Sequence, residues 1–298
     1  MRMKNWRCLA VAVGAACFLG ACGNSEPASP EQDKELADLG QITVVTRESG
    51  SGTRSSFAQA LGLDEEGVDD KDHITETAQT VTSGEEVIQA VGEDKSSVGY
   101  VSWGTDISES DSVKELAVDG VPAEETTIES SQYPLSRTLY LAAAKDGNEL
   151  KEDFLTYVTG KGQEIVGDFF VPAEETKDVF LSAQPSGTLR IHGSTSLAPA
   201  IEALAEAYQE ANPNAVIEVE ASDSSQGITD VLTGVCDMAM VSRDLYQYEQ
   251  DVLQAVPVAK DGIRVIVQAD NPLEDLTADM LAAIYSGDTA NWADTKEE

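Results

Sequence analysis

Arg47 stands four residues ahead of Ser51 in a stretch that continues Gly50-Ser51-Gly52-Thr53. A small, glycine-rich turn at the start of a helix collects backbone N–H groups that have no intrahelical acceptor. It also carries the positive end of the helix dipole. With the guanidinium of Arg47 and the hydroxyls of Ser51 and Thr53 beside it, the turn offers many fixed donors, which suits a tetrahedral oxyanion. An ordinary Ser/Gly loop can have the same composition. The strand pattern before it, the helix pattern after it and the placed arginine distinguish this one. Two further turns are built alike: Gly193-Ser194-Thr195-Ser196, and Ser222-Asp223-Ser224-Ser225-Gln226-Gly227.

Catalytic chemistry has little to draw on. A serine nucleophile at Ser51 would need a neighbouring base, and none is evident. The glycine turn lacks the lysine of a Walker motif. His73 and His192 are the two histidines; His192 flanks the second turn and is read as structural. No catalytic residue, metal ligand or cofactor is expected, and the chain is not read as an enzyme.

The elements that must position these turns alternate. Ile42 to Thr46 is a β-branched run that reads as a buried strand, followed by a helix from Thr53 to about Leu61. Thr80 to Val91 has Ser83 as an N-cap and Val87, Ile88 and Val91 on one face. Ser97 to Ser102 and Arg137 to Ala144 read as strands, and 105–130 as acidic and irregular. Leu150 to Tyr157 and Gln163 to Phe170 read as helices, and Thr188 to Ile191 as a strand. A long helix then carries Leu197, Ile201, Leu204, Ala205 and Tyr208 on one stripe. Val216 to Val219, Asp237 to Val241 and Asp261 to Gln268 are strands; helices are expected from Ile228 and from Thr277. This alternation is an α/β pattern, in which ligands bind beyond the carboxyl ends of strands. Three such turns can surround one small anion if two lobes face each other.

The 298 residues suffice for two ordinary domains or one two-lobed protein. A net charge of −35 repels nucleic acid and anionic headgroups, so neither is an expected partner. It also repels free anions at long range, so an anion site must act through donors at short distance. At the N-terminus, Arg2, Lys4 and Arg7 precede an apolar run, Cys8 to Leu19, which is short for a bilayer span. Leu19-Gly20-Ala21-Cys22 follows and resembles a bacterial lipobox. It makes residues 1–21 a signal peptide, Cys22 a lipidated (palmitate-type) anchor and 22–40 a tether. Cys236 remains without a pairing partner and reads as a small buried hydrophobe.

Several segments together resemble one family, the PstS-like phosphate-binding lipoproteins of phosphate ABC importers, of the type II periplasmic-binding fold. They are the Thr46–Phe57 stretch, Val98–Gly104, Tyr133–Leu141, Phe169–Pro172, Gly193–Tyr208, Ser242–Glu249, Asp261–Thr277 and Ile284–Asp294. The resemblance covers essentially all of 41–294. It implies a two-lobed α/β fold with a ligand cleft between the lobes. One lobe would be 138–262, with the GSTS and DSSQG turns. The other, 41–137 plus 263–298, would carry the arginine turn. Hinge strands would run through 137–144 and 262–268. The order of segments differs from the family's: the half that usually comes second comes first, and 173–187 joins the family's old ends. This looks like a circular permutation, with a truncated or tandem chain as the competing explanation.

The resemblance implies phosphate-binding roles for Arg47, Ser51, Gly52 and Thr53 on one side, and for Thr195, Ser196, Ser224 and Ser242 on the other. Ser242 stands where some members place an acceptor aspartate, and Ser222-Asp223 replaces the glycines usual at that turn. Asp223 would repel an anion unless its carboxylate points away or takes up a proton. The function implied is capture of inorganic phosphate at the extracytoplasmic face of the bacterial cell membrane and delivery to the ABC permease subunits. The alternatives are another tetrahedral oxyanion such as sulfate, or a surface phosphate sensor or adhesin without transport.

Overall fold

The computed structural model describes residues 30–65, 70–108, 110–145 and 147–295. The signal segment and Cys22 lie outside them. The chain runs α1 (Pro30–Leu39), β1 (Thr43–Arg47), α2 (Gly52–Ala60), β2 (Gln79–Val81), α3 (Gly84–Glu93), β3 (Ser97–Ser102), β4 (Val113–Val118) and α4 (Glu125–Glu129). It continues with β5 (Ser136–Ala144), α5 (Glu149–Val158), α6 (Gln163–Val166), β6 (Val171–Pro172), β7 (Gly187–Ser194), α7 (Ala198–Ala211) and β8 (Ala215–Ser222). Last come α8 (Ser224–Thr233), β9 (Met238–Val241), α9 (Gln247–Val252), β10 (Leu253–Gln268), β11 (Asp275–Leu276), α10 (Ala278–Ser286) and a 3₁₀ turn, Trp292–Asp294.

The α/β alternation expected from the sequence is present. One mixed sheet runs in the order β2-β1-β3-β10-β5-β9-β7-β8, with β4 and β6 also on β10 and β11 on β4. Strands that follow a helical crossover pair parallel, as β1 does with β2 and β3, and β7 with β8 and β9. Strand β10 is antiparallel to all its neighbours. Its first part, Leu253–Gly262, pairs with β5, and its second part, Ile263–Gln268, with β3 and β4.

Two large cores flank that strand. One gathers Val44, Phe57, Tyr100, Tyr133, Ile263, Tyr285 and Trp292 from the sequence-distant ends of the chain. The other gathers Leu139, Phe154, Ile191, Leu204, Tyr208 and Met240 from its middle. The amphipathic stripe of α7 behaves as its spacing requires: Ile201, Leu204 and Tyr208 are fully buried in the second core. In α3, Ser83 caps the first turn by accepting from the Glu86 N–H at 3.2 Å, and Val87 and Val91 are buried.

Five local expectations need correction. Part of the expected tether is structured: Pro30–Leu39 is a helix whose Leu36 is buried. The acidic 105–130 segment holds a strand, β4, and a short helix, α4. The charges of β4 hid it, because their partners lie far along the chain: Glu115 pairs with Arg264 at 2.6 Å, and Lys114 pairs with Glu274. The helix expected over 163–170 stops at Val166, and only Val171–Pro172 adds to the sheet. Helix α8 starts at Ser224 rather than Ile228, because Asp223 caps it by accepting from the Gln226 N–H at 2.8 Å. The strand expected from Asp261 begins eight residues earlier, at Leu253.

Cys236 is buried, as expected, and its Sγ lies 3.3 Å from the Met238 carbonyl. Burial pushes its thiol up to about 11, so at pH 8 almost none of it is the nucleophilic thiolate. In a chain starting after Cys22, labelling with iodoacetamide or Ellman's reagent at pH 8 should be negligible until denaturant is added, when one thiol should react.

Candidate anion-binding site

Arg47 ends β1 and is aimed by its surroundings. Its N–H donates to the Tyr100 hydroxyl at 3.2 Å, and that hydroxyl also bonds Thr46 Oγ1 at 2.8 Å. Burial raises the pKa of Tyr100, so it stays a neutral phenol. Its ring stacks on Phe57 of α2 with centroids 4.1 Å apart, and both rings pack against Tyr285. The aromatic cluster thereby sets the end of β1 against the start of α2. The Arg47 fork is almost wholly buried. Nε and Nη2 donate to Glu48 at 3.0 and 2.9 Å, and Nη2 also donates to the Thr82 carbonyl at 2.8 Å and to Thr195 Oγ1 at 3.2 Å. The last of these crosses to the other half of the molecule.

The eight predicted residues come together. Thr53 Oγ1 lies 3.1 Å from Ser196 Oγ. Ser224 Oγ lies 3.3 Å from Ser242 Oγ and accepts from the Ser242 N–H at 3.1 Å. Gly52 fits flush against both: a Cβ there would stand 2.4 Å from Ser224 Oγ and 2.5 Å from Ser242 Oγ. Ser51 caps α2 by accepting a long 3.4 Å bond from the Arg54 N–H, which uses a lone pair of its Oγ and leaves its O–H able to donate. The N-termini of α2, α7 and α8 therefore converge, and with them the free N–H groups of three first turns. Asp223 does not reach into this group as an unattached charge. Its carboxylate caps α8 and lies over Gly50, whose φ of +90° is a conformation that glycine adopts without strain.

Several residues of the site were not singled out in the sequence. Ser56 Oγ donates to the Ser242 carbonyl at 3.1 Å, and Arg137 Nη1 donates to the same carbonyl at 2.9 Å. Ser56 was readable, since it lies one helical turn after Gly52; Arg137 was not, because its target is more than a hundred residues away. The Tyr246 hydroxyl bridges the halves away from the turns, donating to Asp70 Oδ1 at 3.1 Å and accepting from the Asp70 N–H at 3.0 Å. Arg54 and Arg243 serve structure. Arg54 forks onto Asp72 at 2.7 and 2.8 Å, which raises its pKa, and Arg243 forks onto Glu249 at 2.8 and 2.9 Å and lies over the Tyr246 ring. His192 bonds Asp230 at 2.8 Å, as a structural histidine would. Thr195 and Ser196 also line a cleft of about 890 Å³ whose walls include Trp103, Phe169 and Arg264.

The arrangement can hold a small anion between donors from both halves. The tight seat of Gly52 makes a direct prediction. In Gly52→Ala the new methyl meets backbone as well as hydroxyls, since the Ser242 carbonyl carbon is 3.0 Å away. The turn must then separate from β9 and α8, at a cost of about 1–3 kcal/mol, measurable as a lowered urea midpoint at unchanged m-value.

Comparison with known proteins places the whole chain. The family model for a PBP superfamily domain matches residues 28–161 and 179–298. The chain is 37% identical over 98% of its length to the phosphate-binding protein PstS 2 of Streptococcus pneumoniae, and covers 99% of that protein. A crystal structure of a phosphate-binding protein of a phosphate ABC transporter from Streptococcus pneumoniae superposes with a TM-score of 0.72 at 36% identity, over 86% of this chain and all of that one. The phosphate-binding protein PstS of Bacillus subtilis is 32% identical over 112 residues, 36% of this chain and 37% of that one. On its folded architecture and these end-to-end matches, the chain belongs to the PstS family of phosphate-binding proteins, within the PBP superfamily.

Proposed function

We propose that this chain captures inorganic phosphate between its two lobes and delivers it to the permease of an ABC importer. The observation that carries the reading is the meeting of Arg47, Ser51, Gly52 and Thr53 with Thr195, Ser196, Ser224 and Ser242 at three helix N-termini, in a PstS-family chain. The lobes are 41–137 plus 263–298, and 138–262. The two separate cores on either side of β10 support that division. Arg47 supplies charge-assisted bonds, hydroxyls and first-turn N–H groups complete the shell, and closure excludes water.

The molecule works outside the cytoplasm, held to the membrane by acylated Cys22. Supporting this are the basic start, the short apolar run and the small residues before Cys22. Among the described residues, no helix is long and apolar enough to cross a membrane. We read the segment order as a circular permutation relative to such proteins as the Bacillus subtilis relative, an order shared with the Streptococcus pneumoniae relative that aligns end to end. Two observations favour it. The Ile42 N–H donates to the Ala290 carbonyl at 2.9 Å and the Trp292 N–H to the Gly40 carbonyl at 3.0 Å, so a short link could join these regions. The Bacillus subtilis relative aligns over little more than a third of each chain, as expected where a shared order breaks.

Titration calorimetry with phosphate and with sulfate tests the function. Phosphate should bind and sulfate should not compete at equal concentration; binding of sulfate alone would replace the substrate, and heat from neither would remove the reading. In Arg47→Ala, loss of two charge-assisted bonds at about 1.5 kcal/mol or more each should weaken phosphate binding by at least about a hundredfold. A reordered chain, running 187–295 and then through a short linker into 41–172, should fold and keep phosphate affinity within about threefold. Failure to fold would count against the permuted order.

A further inference from the structure

Arg137 lies on β5, close beside β10, and its side chain is only 5% exposed. It forks onto one carboxylate: Nε and Nη2 donate to Asp261 Oδ2 at 2.8 and 2.6 Å. Asp261 is fully buried on β10 and also accepts from Ser102 Oγ and from the Trp103 N–H, each at 2.9 Å. The third guanidinium nitrogen, Nη1, donates to the Ser242 carbonyl, which takes its other bond from Ser56 Oγ of α2. From β5, one planar side chain thus reaches β10 and the residue after β9, and through Asp261 it is joined to β3.

What this holds is specific. Ser242 has its carbonyl fixed by two donors and its N–H bonded to Ser224 Oγ, and its Oγ faces Ser224 Oγ with Gly52 against both. A lysine could reach Asp261 or the Ser242 carbonyl, but its ammonium lacks the planar fork that serves both at once. Burial lowers the Arg137 pKa, Asp261 opposes that, and Arg47 lowers it further, so the two guanidinium groups lie within electrostatic reach of each other.

We propose that Arg137 is a positioning residue for the anion site: by holding the Ser242 carbonyl from the crossover strands, it sets Ser242 and Ser224 against the Gly52 turn in the closed molecule. The inference rests on the phosphate-binding reading above. It assigns Arg137 no contact with the anion; its effect passes through the backbone of Ser242.

The test is a double-mutant cycle on the full chain, with inorganic phosphate as the probe and wild-type binding as the control for the functional reading itself. Arg137→Lys should weaken phosphate binding by about tenfold or more. Ser242→Ala should weaken it in the wild-type background but change it less than about twofold in the Arg137→Lys background, because the hydroxyl is already misplaced there. A purely structural role would lower the melting temperature without phosphate and leave the affinity of the folded protein unchanged, which would overturn the proposal. Full additivity of the two substitutions would overturn it as well. If Arg137→Lys does not fold, Ser56→Ala decides. It removes the second donor from the same carbonyl, and it should weaken binding; undiminished affinity would sink the idea.

Discussion

Strand β5 pairs antiparallel with the first part of β10, from Ser136 opposite Gly262 to Ala144 opposite Leu253. The second part of β10 then becomes the neighbour of β3 and β4. Both lobes therefore share one continuous strand. The strand changes partners between Asp261 and Ile263, from β5 on one side to β3 on the other. The buried Arg137–Asp261 pair sits at that point. Two charges taken out of water are tolerated only with good geometry and full hydrogen bonding. The Asp261 oxygens accept four bonds in all, so the crossing is held in one geometry while the lobes on either side keep their own cores.

The second constraint is electrostatic. The chain carries a net charge of −35, so an approaching anion is opposed within a Debye length of about 8–10 Å at physiological salt, and further out at lower salt. The site does not answer with bare positive charge. Arg47 is forked onto Glu48, and Arg137 onto Asp261. What the three turns present is local: helix N-termini, hydroxyls and the edge of a guanidinium already oriented by its carboxylate. Such donors act within hydrogen-bond distance, where geometry counts more than total charge. Asp223 fits the same logic. Its carboxylate caps α8, so that its charge faces the helix N-terminus, and a position filled by a polar side chain remains compatible with an anion site nearby.

Much of the fold was legible because its signals are local. The β-branched run before Arg47, the stripe of α7 and the Ser83 cap are each decided within one or two turns of chain. The three hydroxyl-rich turns were legible for the same reason. The misses share a cause. Strand β4 carries Lys114 and Glu115, which look like a solvated acidic segment until Glu274 and Arg264 are brought opposite them. The start of α8 lies earlier than the apolar pattern indicates because Asp223, which reads as a charge near an anion, is its cap. Helix α1 was hidden in a polar stretch whose Leu36 has meaning only once it enters the first core.

The sequence by itself determined the alternation of strands and helices, the three donor turns and the side chains that populate them, since dihedral preference, capping and periodicity act between near neighbours. Only the tertiary structure decided that Thr53 meets Ser196, that Gly52 must be glycine against Ser224 and Ser242, and that Arg137 reaches the Ser242 carbonyl. Each of these joins residues more than a hundred positions apart. No local rule carries such information, because it depends on the register of β5 against β9 and β10 in one sheet.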